Sequence, residues 1–301
     1  MQTPTYLNPG DKIAIVAPAR KISMEELQPA VDVLTSWGYE VVFGDNLFNE
    51  FNQYSGSDEE RTLDFQNALD ADDIKAIICA RGGYGTLRII DKLDFTKFIN
   101  NPKWIIGYSD VTVLHSHINK NYSIETLHAT MPVNFPKDGS INQSLASLQI
   151  ALQGESLSYC IENHALNRNG ITSGKLCGGN LSILYALTAS VSDIDTKDKI
   201  LFIEDLDEYL YHIDRMMLNL KRSGKLANLA GLIVGGMSEM RDNTIPFGMT
   251  AEEIIIEAVA EYDYPVCFNF PAGHISDNNA LIMGRNVYLN VADSVVLKFD
   301  I

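Results

Sequence analysis

Apolar and polar positions along the first half of the chain alternate between two periods, which predict a repeated strand-helix arrangement. Short apolar runs predict strands, and longer segments with a period near 3.6 residues predict helices. Two of these helices begin with a capping box, Ser23-Met24-Glu25-Glu26 and Ser57-Asp58-Glu59-Glu60. The predicted strands are 12–17, 40–43, 75–80 and 104–106. Strands that alternate with helices in this way form a parallel sheet, so we expect an α/β domain.

The periodic pattern fades between residues 152 and 170, in a stretch that contains several asparagines and glycines. Beyond it, strands are predicted at 171–176, 199–203, 229–235, 266–270, 280–283 and 294–299, with helices at 181–189 and 207–223. The close-set C-terminal strands predict an antiparallel or barrel-like part, which makes this half mixed α+β. We therefore expect an N-terminal domain over 1–155, a linker over 156–170 and a C-terminal domain over 171–301.

Length and charge narrow the classes of protein to consider. A chain of 301 residues with 46% hydrophobic residues can bury a large core. Its 23 basic residues against 39 acidic residues give a net charge of -16, which argues against nucleic acid and anionic membrane surfaces as partners. The pattern of a signal peptide or a membrane span is not found in the sequence, so we expect the protein in the cytoplasm.

The cysteines and paired histidines do not predict a metal site. His115 and His117 stand two positions apart on a predicted helix and therefore face different ways. The four cysteines are widely spaced, without C-x-x-C motifs, and are predicted to be buried free thiols. They are Cys79, Cys160, Cys177 and Cys267.

The strand at 104–106 runs directly into Gly107-Tyr108-Ser109-Asp110 and then into a helical pattern. Such a strand-to-helix turn exposes a serine hydroxyl at a helix N-terminus, where free backbone N–H groups favour developing negative charge. The match to the G-x-S-x-G elbow is partial, because Val111 stands at the position of the second glycine. Serine is also a preferred helix N-cap. The turn thus predicts either a nucleophile or a cap at Ser109.

A serine nucleophile needs a base, and the base needs a carboxylate that orients it. Of the six histidines, His274 lies in a polar loop after an apolar strand, where functional side chains are commonly presented. Glu204 is the first charged residue after the apolar run 199–203, and Asp205 and Asp207 fit the same role by spacing.

Six segments add a longer-range pattern: Arg81-Gly82-Gly83-Tyr84-Gly85, Ile106-Gly107-Tyr108-Ser109-Asp110, Gly178-Gly179-Asn180-Leu181, Leu201-Phe202-Ile203-Glu204-Asp205, Ile213-Asp214-Arg215-Met216 and Gly273-His274. In this order, and over most of the chain, they resemble the serine LD-carboxypeptidases and the related microcin C self-immunity peptidases. The resemblance implies an N-terminal Rossmann- or flavodoxin-like domain, a C-terminal domain and a homodimer.

The same resemblance implies a Ser109, Glu204 and His274 triad at the interface of the domains, without metal or cofactor. It also implies a substrate class, the cytoplasmic murein tetrapeptide, from which terminal D-alanine is released during cell-wall recycling. The backbone N–H groups of Gly83 and Asp110 are then the expected oxyanion donors, because one follows the nucleophile and the other lies in the adjacent glycine turn.

The substrate's terminal carboxylate needs a cationic or amide partner, and we expect Arg81 or the amides at Gly82 and Gly83 to supply it. A surface ion pair is the other interpretation of Arg81. Within the family, the alternative substrate is an aminoacyl-nucleotide conjugate, for which Tyr84, Tyr108 or Phe135 would stack on the base. Outside enzymes, the alternatives are a nucleotide- or sugar-binding α/β protein and an inactive relative, although no phosphate-binding glycine motif is present.

Overall fold

The computed structural model describes residues 1–300 and contains two β-sheets. The first sheet takes five of its six strands from the N-terminal half of the chain. Its strands are β1 (Lys12–Val16), β2 (Glu40–Phe43), β3 (Ile74–Cys79), β4 (Trp104–Gly107), β5 (Thr126–His128) and β11 (Leu281–Met283). They stand in the order β11-β5-β4-β3-β1-β2. The pairings among β1 to β5 are parallel, whereas β11 lies antiparallel to β5.

Five helices accompany this part of the described chain: α1 (Met24–Ser36), α2 (Asp58–Asp70), α3 (Thr96–Asn100), α4 (Thr112–Tyr122) and α5 (Gln143–Gln153). Both predicted capping boxes are present. The Ser23 and Ser57 hydroxyls each accept a hydrogen bond from the backbone N–H three residues further on. The glutamate at that position accepts a hydrogen bond from the backbone N–H of the serine. These caps begin α1 and α2 where the sequence predicts them.

The second sheet is mixed. Its strands are β6 (Ser158–Glu162), β7 (Gly170–Asn180), β8 (Lys199–Leu206), β9 (Gly231–Ser238), β10 (Val266–Cys267), β12 (Asn286–Val291) and β13 (Ser294–Phe299), in the order β10-β9-β8-β7-β12-β13-β6. The four strands from β10 to β7 are parallel, and the remaining pairings are antiparallel. The helices are α6 (Leu181–Leu187), α7 (Leu210–Arg222) and α8 (Ala251–Ala258). The predicted α/β class, with a parallel first sheet and a mixed second part, is confirmed.

Two elements lie where the sequence does not place them. Strand β6 forms inside the stretch 156–170 that is predicted as a linker, and it pairs with β13 at the edge of the second sheet. Strand β11 comes from the predicted C-terminal domain but completes the first sheet. The chain therefore crosses between the two sheets after β10 and returns to the second sheet at β12.

The two sheets also meet where β7 ends. The Asn180 N–H donates to the Thr112 hydroxyl at 3.0 Å, which joins the end of β7 to the start of α4. Gly179 has a φ of 137°, and a Cβ there would lie 2.5 Å from the Thr112 hydroxyl oxygen. Only glycine allows this close approach, which brings β7 and β8 to the carboxyl end of β4. No helix within residues 1–300 has the length and apolar character needed to cross a membrane.

Candidate active site

Ser109 lies on a strained turn between β4 and α4. Its φ is 63°, a left-handed conformation that costs a non-glycine residue about 1–3 kcal/mol and is common at functional sites. Gly107 has a φ of 154°, and a Cβ there would lie 2.8 Å from a methyl group of Val111. The Ser109 side chain accepts no capping bond from the helix. The turn therefore presents the hydroxyl to the cavity instead of capping α4.

The His274 imidazole joins Ser109 to Glu204. Its Nε2 lies 3.1 Å from the Ser109 Oγ, and its Nδ1 lies 2.6 Å from the Glu204 Oε2. The same carboxylate oxygen accepts the His274 backbone N–H at 3.1 Å. A hydroxyl, an imidazole and a carboxylate thus form one hydrogen-bonded chain across the interface of the two sheets, the arrangement by which a serine is activated.

Burial and charge around His274 act in opposite directions on its pKa. Burial lowers the pKa of the imidazole, but the hydrogen bond to Glu204 and the charges of Glu204 and Asp205 outweigh burial, so the pKa lies above its ordinary 6.5. Glu204 is 0% exposed. Gly273 allows the carboxylate to approach, since a Cβ there would lie 2.6 Å from the Glu204 Oε2.

The two alternative carboxylates have other partners. Asp205 accepts from the Asn180 amide at 3.0 Å and from the Ser182 N–H at 2.9 Å. Burial, and the charge of Glu204 after it, raise the pKa of Asp205 to about 7. Asp207 is paired with Arg241. Of the three candidates that spacing leaves open, Glu204 is therefore the one that contacts His274.

A glycine turn after β3 faces the serine. A Cβ on Gly82 would lie 2.9 Å from the Ser109 Cβ and 3.0 Å from its Oγ, so the turn packs directly against the hydroxyl. Gly83 has a φ of 107°, and its N–H has no hydrogen-bond acceptor within residues 1–300. Asp110 is buried, and its carboxylate accepts the Thr86 N–H at 2.8 Å. The glycine turn thus packs against Ser109, and Asp110 follows Ser109 directly in the chain.

Ser109 and His274 line a cavity of about 520 Å³. The lining includes two cationic residues, Arg20 and Arg81, and three acidic residues, Asp205, Asp207 and Glu208. The rest of the lining includes Gly82, Gly83, Tyr84, Tyr108, Met131, Val133, Asn134, Asn180, Ser182, Ile183 and Leu206. A peptide with charges of both signs suits such a cavity.

The predicted binding residues differ in their surroundings. Arg81 donates to the Lys21 carbonyl at 3.2 Å and to the Glu26 carboxylate at 3.4 Å, so the ion pair expected as an alternative is present. Tyr84 is exposed at the cavity. Phe135 is buried in the core and does not line the cavity.

Two aromatic residues support the imidazole. The Tyr108 ring centroid lies 4.8 Å from that of His274, and the Tyr108 hydroxyl donates to the Asn134 amide oxygen at 3.0 Å. His128 packs behind Tyr108 at 5.9 Å and is fully buried, and burial lowers its pKa well below 6.5. Tyr108 therefore packs against the His274 ring, and His128 packs against Tyr108.

Sequence reasoning missed Arg20 and the buried pair of Asn180 with Asp205. Arg20 follows β1 without a recognisable motif, so no local signal marks it. Asn180 ends the Gly178-Gly179-Asn180 motif at the end of a predicted strand, and this motif is the sequence signal that could have indicated a functional residue. The cysteines lie elsewhere: Cys79, Cys177 and Cys267 are buried, Cys160 is exposed, and none lines the cavity.

Comparison with known proteins gives matches over both halves. Residues 13–129 match the LD-carboxypeptidase N-terminal domain and residues 173–289 match the LD-carboxypeptidase C-terminal domain. The chain is 33% identical over 301 residues to the probable murein peptide carboxypeptidase of Bacillus subtilis (strain 168), covering 98% of this chain and 93% of that protein.

Solved structures agree. The muramoyltetrapeptide carboxypeptidase from Oxalobacter formigenes is similar with a TM-score of 0.87 and 28% identity, covering 96% of this chain and 99% of that one. MccF in complex with glutamyl sulfamoyl guanosine shares the fold, with a TM-score of 0.87 at 20% identity over 100% of this chain and 98% of its own. Both domain matches and the full-length relatives lead to one conclusion: this chain belongs to the LD-carboxypeptidase family.

Proposed function

We propose that this protein is a serine carboxypeptidase in which Ser109, His274 and Glu204 are the nucleophile, the base and the orienting carboxylate. One observation carries the proposal: the hydrogen-bonded chain from Ser109 through His274 to Glu204, which opens into the cavity. Three side chains from distant parts of the sequence converge there, and a purely structural polar cluster would not need the strained φ of Ser109.

The mechanism follows from these positions. The Ser109 Oγ attacks the carbonyl carbon of the scissile amide while the His274 Nε2 accepts its proton. Glu204 holds the imidazole by its Nδ1–H and stabilises the positive charge that develops on it. His274 then passes the proton to the leaving amine, and a water molecule activated by the same imidazole hydrolyses the acyl-serine.

The negative charge on the carbonyl oxygen needs donors that are already in place. The N–H groups of Gly83 and Asp110 are the proposed oxyanion hole, because Asp110 follows the nucleophile and Gly83 belongs to the glycine turn that packs against it, with its N–H free of any acceptor within residues 1–300. Removing one such donor costs about 3 kcal/mol in the activation barrier. The proposed mechanism requires no cofactor.

The proposed substrate is the murein tetrapeptide, and the proposed product is free D-alanine cut from an L,D-amide bond. Support comes from the relatives, which are named murein peptide and muramoyltetrapeptide carboxypeptidases. Arg81, Gly82 and Tyr84 line the cavity and are the proposed peptide contacts. A homodimer, a cytoplasmic location, a role in cell-wall recycling and the domain bounds 1–155 and 171–301 stay predictions.

The test is mass spectrometry of a murein tetrapeptide incubated with the wild-type protein and with Ser109→Ala. We expect loss of one D-alanine with the wild type and none with the variant. Ser116→Ala is the matched control, because Ser116 lies on α4, which follows the Ser109 turn, and its buried hydroxyl has no partner within residues 1–300. Wild-type turnover by a pure Ser109→Ala preparation would rule out the serine mechanism.

The aminoacyl-nucleotide alternative has one observation in its favour, the exposed Tyr84 ring at the cavity, which is able to stack on a base. Release of an amino acid from an acyl sulfamate adenylate, without release of D-alanine from the tetrapeptide, would support it. A serine-reactive phosphonylating probe separates both enzymes from a binding protein, because it labels Ser109 only where the hydroxyl is activated.

A further inference from the structure

The two arginines of the cavity differ in how their charge is used. Arg81 is held by Glu26 and by the Lys21 carbonyl. Arg20 also lines the cavity and is exposed, but its guanidinium has no carboxylate within 4.0 Å and no hydrogen bond within residues 1–300. Of these two arginines, Arg20 is therefore the one whose charge is available to a ligand.

A two-residue glycine turn places Arg20 close to the nucleophile. A Cβ on Gly83 would lie 2.6 Å from the Arg20 Cδ and 2.9 Å from its Nε, whereas a Cβ on the preceding Gly82 would lie 3.0 Å from the Ser109 Oγ. The guanidinium and the hydroxyl thus contact neighbouring residues, whose Cα atoms are about 3.8 Å apart. Gly83 also contributes the free N–H of the proposed oxyanion hole, so the guanidinium flanks the reacting carbonyl.

The carboxylate at the end of a peptide lies close to the last amide bond. In a substrate, one amide nitrogen and one α-carbon separate the scissile carbonyl from the terminal carboxylate, so the two carbons are roughly 3–4 Å apart. Asp205, Asp207 and Glu208, which also line the cavity, repel a carboxylate. Arg20 and Arg81 are the basic residues of the lining that attract it, and of these two Arg81 is paired with Glu26 whereas Arg20 has no salt bridge within residues 1–300.

We propose that Arg20 binds the terminal carboxylate of the substrate and so makes the enzyme a carboxypeptidase rather than an endopeptidase. The inference rests on the proposed function. A guanidinium suits this role because its N–H groups are fixed in a plane and can bind both carboxylate oxygens. The ligand class is a peptide C-terminus, whatever the residues before it.

The experiment compares a tetrapeptide that ends in free D-alanine with the same peptide as its terminal amide. We expect the wild type to prefer the free acid by roughly 30-fold in kcat/KM, the scale of one charge-assisted hydrogen-bonded contact. Arg20→Ala is expected to lose this preference, mainly through a higher KM for the acid, and Arg20→Lys is expected to keep part of it. Arg81→Ala removes the other arginine of the cavity, a proposed peptide contact, and is expected to lower kcat/KM for the acid and the amide alike, so that the preference is retained.

Equal losses on acid and amide in Arg20→Ala, or loss of the preference in Arg81→Ala instead, would overturn the assignment. A binding measurement separates this failure from failure of the proposed chemistry. Calorimetry on Ser109→Ala and on the Ser109→Ala, Arg20→Ala double variant reads affinity without turnover. Tighter binding of the acid that disappears in the double variant supports Arg20 even where no hydrolysis occurs, and equal affinities for acid and amide refute it.

Discussion

Replacing Glu204 with glutamine tests the core of the site with a nearly isosteric change. The carboxylate is fully buried, and its Oε2 accepts both His274 bonds, at 2.6 Å from Nδ1 and 3.1 Å from the backbone N–H. A glutamine whose amide oxygen takes the place of Oε2 still accepts both bonds, but it carries no negative charge to stabilise the imidazolium. In the other orientation of the amide, its NH2 group faces the ring and favours the tautomer with the proton on Nε2. In that tautomer His274 donates to Ser109 and is unable to take its proton.

The expected loss in Glu204→Gln is about 10⁴-fold in kcat, the size seen when a triad carboxylate becomes an amide. That loss corresponds to about 5 kcal/mol in the activation barrier. The pH dependence should change as well. His274 must be neutral to act as a base, so wild-type activity falls as the pH drops through a pKa that lies above 6.5. In the variant, burial still lowers the pKa of the imidazole, but the hydrogen bond to the Glu204 carboxylate and the Glu204 charge no longer raise it. This acid limb of the pH profile therefore moves to lower pH.

The assay is D-alanine release measured as kcat/KM across pH, with thermal unfolding to verify the fold. Glu208→Gln is a matched control, because Glu208 contacts the His212 Nδ1 at the same 2.6 Å on the neighbouring segment. That control should change kcat by less than tenfold and leave the acid limb in place. A Glu204→Gln protein with kcat within tenfold of the wild type and an unmoved limb would refute the assigned role of the carboxylate.

Two further predictions concern buried groups near and away from the site. The pKa of Asp205 is raised from its ordinary 3.8 to about 7 in the folded protein. Between these two pH values the folded protein binds more protons than the unfolded chain. The free energy of unfolding therefore falls as the pH rises from about 4 to 7. Asp205→Asn should flatten this part of the melting-temperature profile; an unchanged slope would contradict the shift. A thiol reagent should modify Cys160 alone in the native protein with activity retained, as burial raises the pKa of the other thiols. Inactivation by this labelling would contradict the serine mechanism and indicate that a cysteine takes part in the reaction.

Features that depend on a few neighbouring residues could be predicted from the sequence. The capping boxes at Ser23 and Ser57 are complete within four residues each, so the starts of α1 and α2 follow from local hydrogen bonds. The turn at Ser109 is also local, since Gly107, the apolar strand before it and the helix after it are adjacent. Whether Ser109 is a nucleophile or a helix cap could not be predicted locally, because that depends on the residues that face its hydroxyl.

Features that depend on distant packing could not be predicted. Strand β11 has the apolar pattern of any buried strand, and only its pairing with β5, about 150 positions earlier, assigns it to the first sheet. Glu204, Asp205 and Asp207 carry the same charge within four positions, and the strand register decides which of them reaches His274. Arg20 needs Gly83, which is far along the chain, to become part of a site.

The segment between β10 and β11 explains how residues from both sheets stay aligned. The Gly236 N–H donates to the Ala272 carbonyl at 3.0 Å, which fixes the start of the loop to β9 in the second sheet. On the other side of His274, the Asn278 N–H donates to the Ser144 hydroxyl at 2.8 Å, which fixes the loop to α5 of the N-terminal half. The base is therefore anchored on each side to a different half of the molecule.

This anchoring bears on catalysis directly. A base carried by one rigid domain and a nucleophile carried by another would lose alignment with each small movement of the domains, and misplacement by about 1 Å can cost 100-fold in rate. Here β11 belongs to the sheet that carries Ser109, and β8, which carries Glu204, belongs to the sheet in which the loop begins. Because the His274 loop is bonded to β9 of the second sheet and to α5 of the N-terminal half, relative movement of the halves is restrained at the place where the proposed proton transfer occurs. The crossing of β11 into the first sheet is thus the feature of the fold that keeps the three side chains within hydrogen-bond distance.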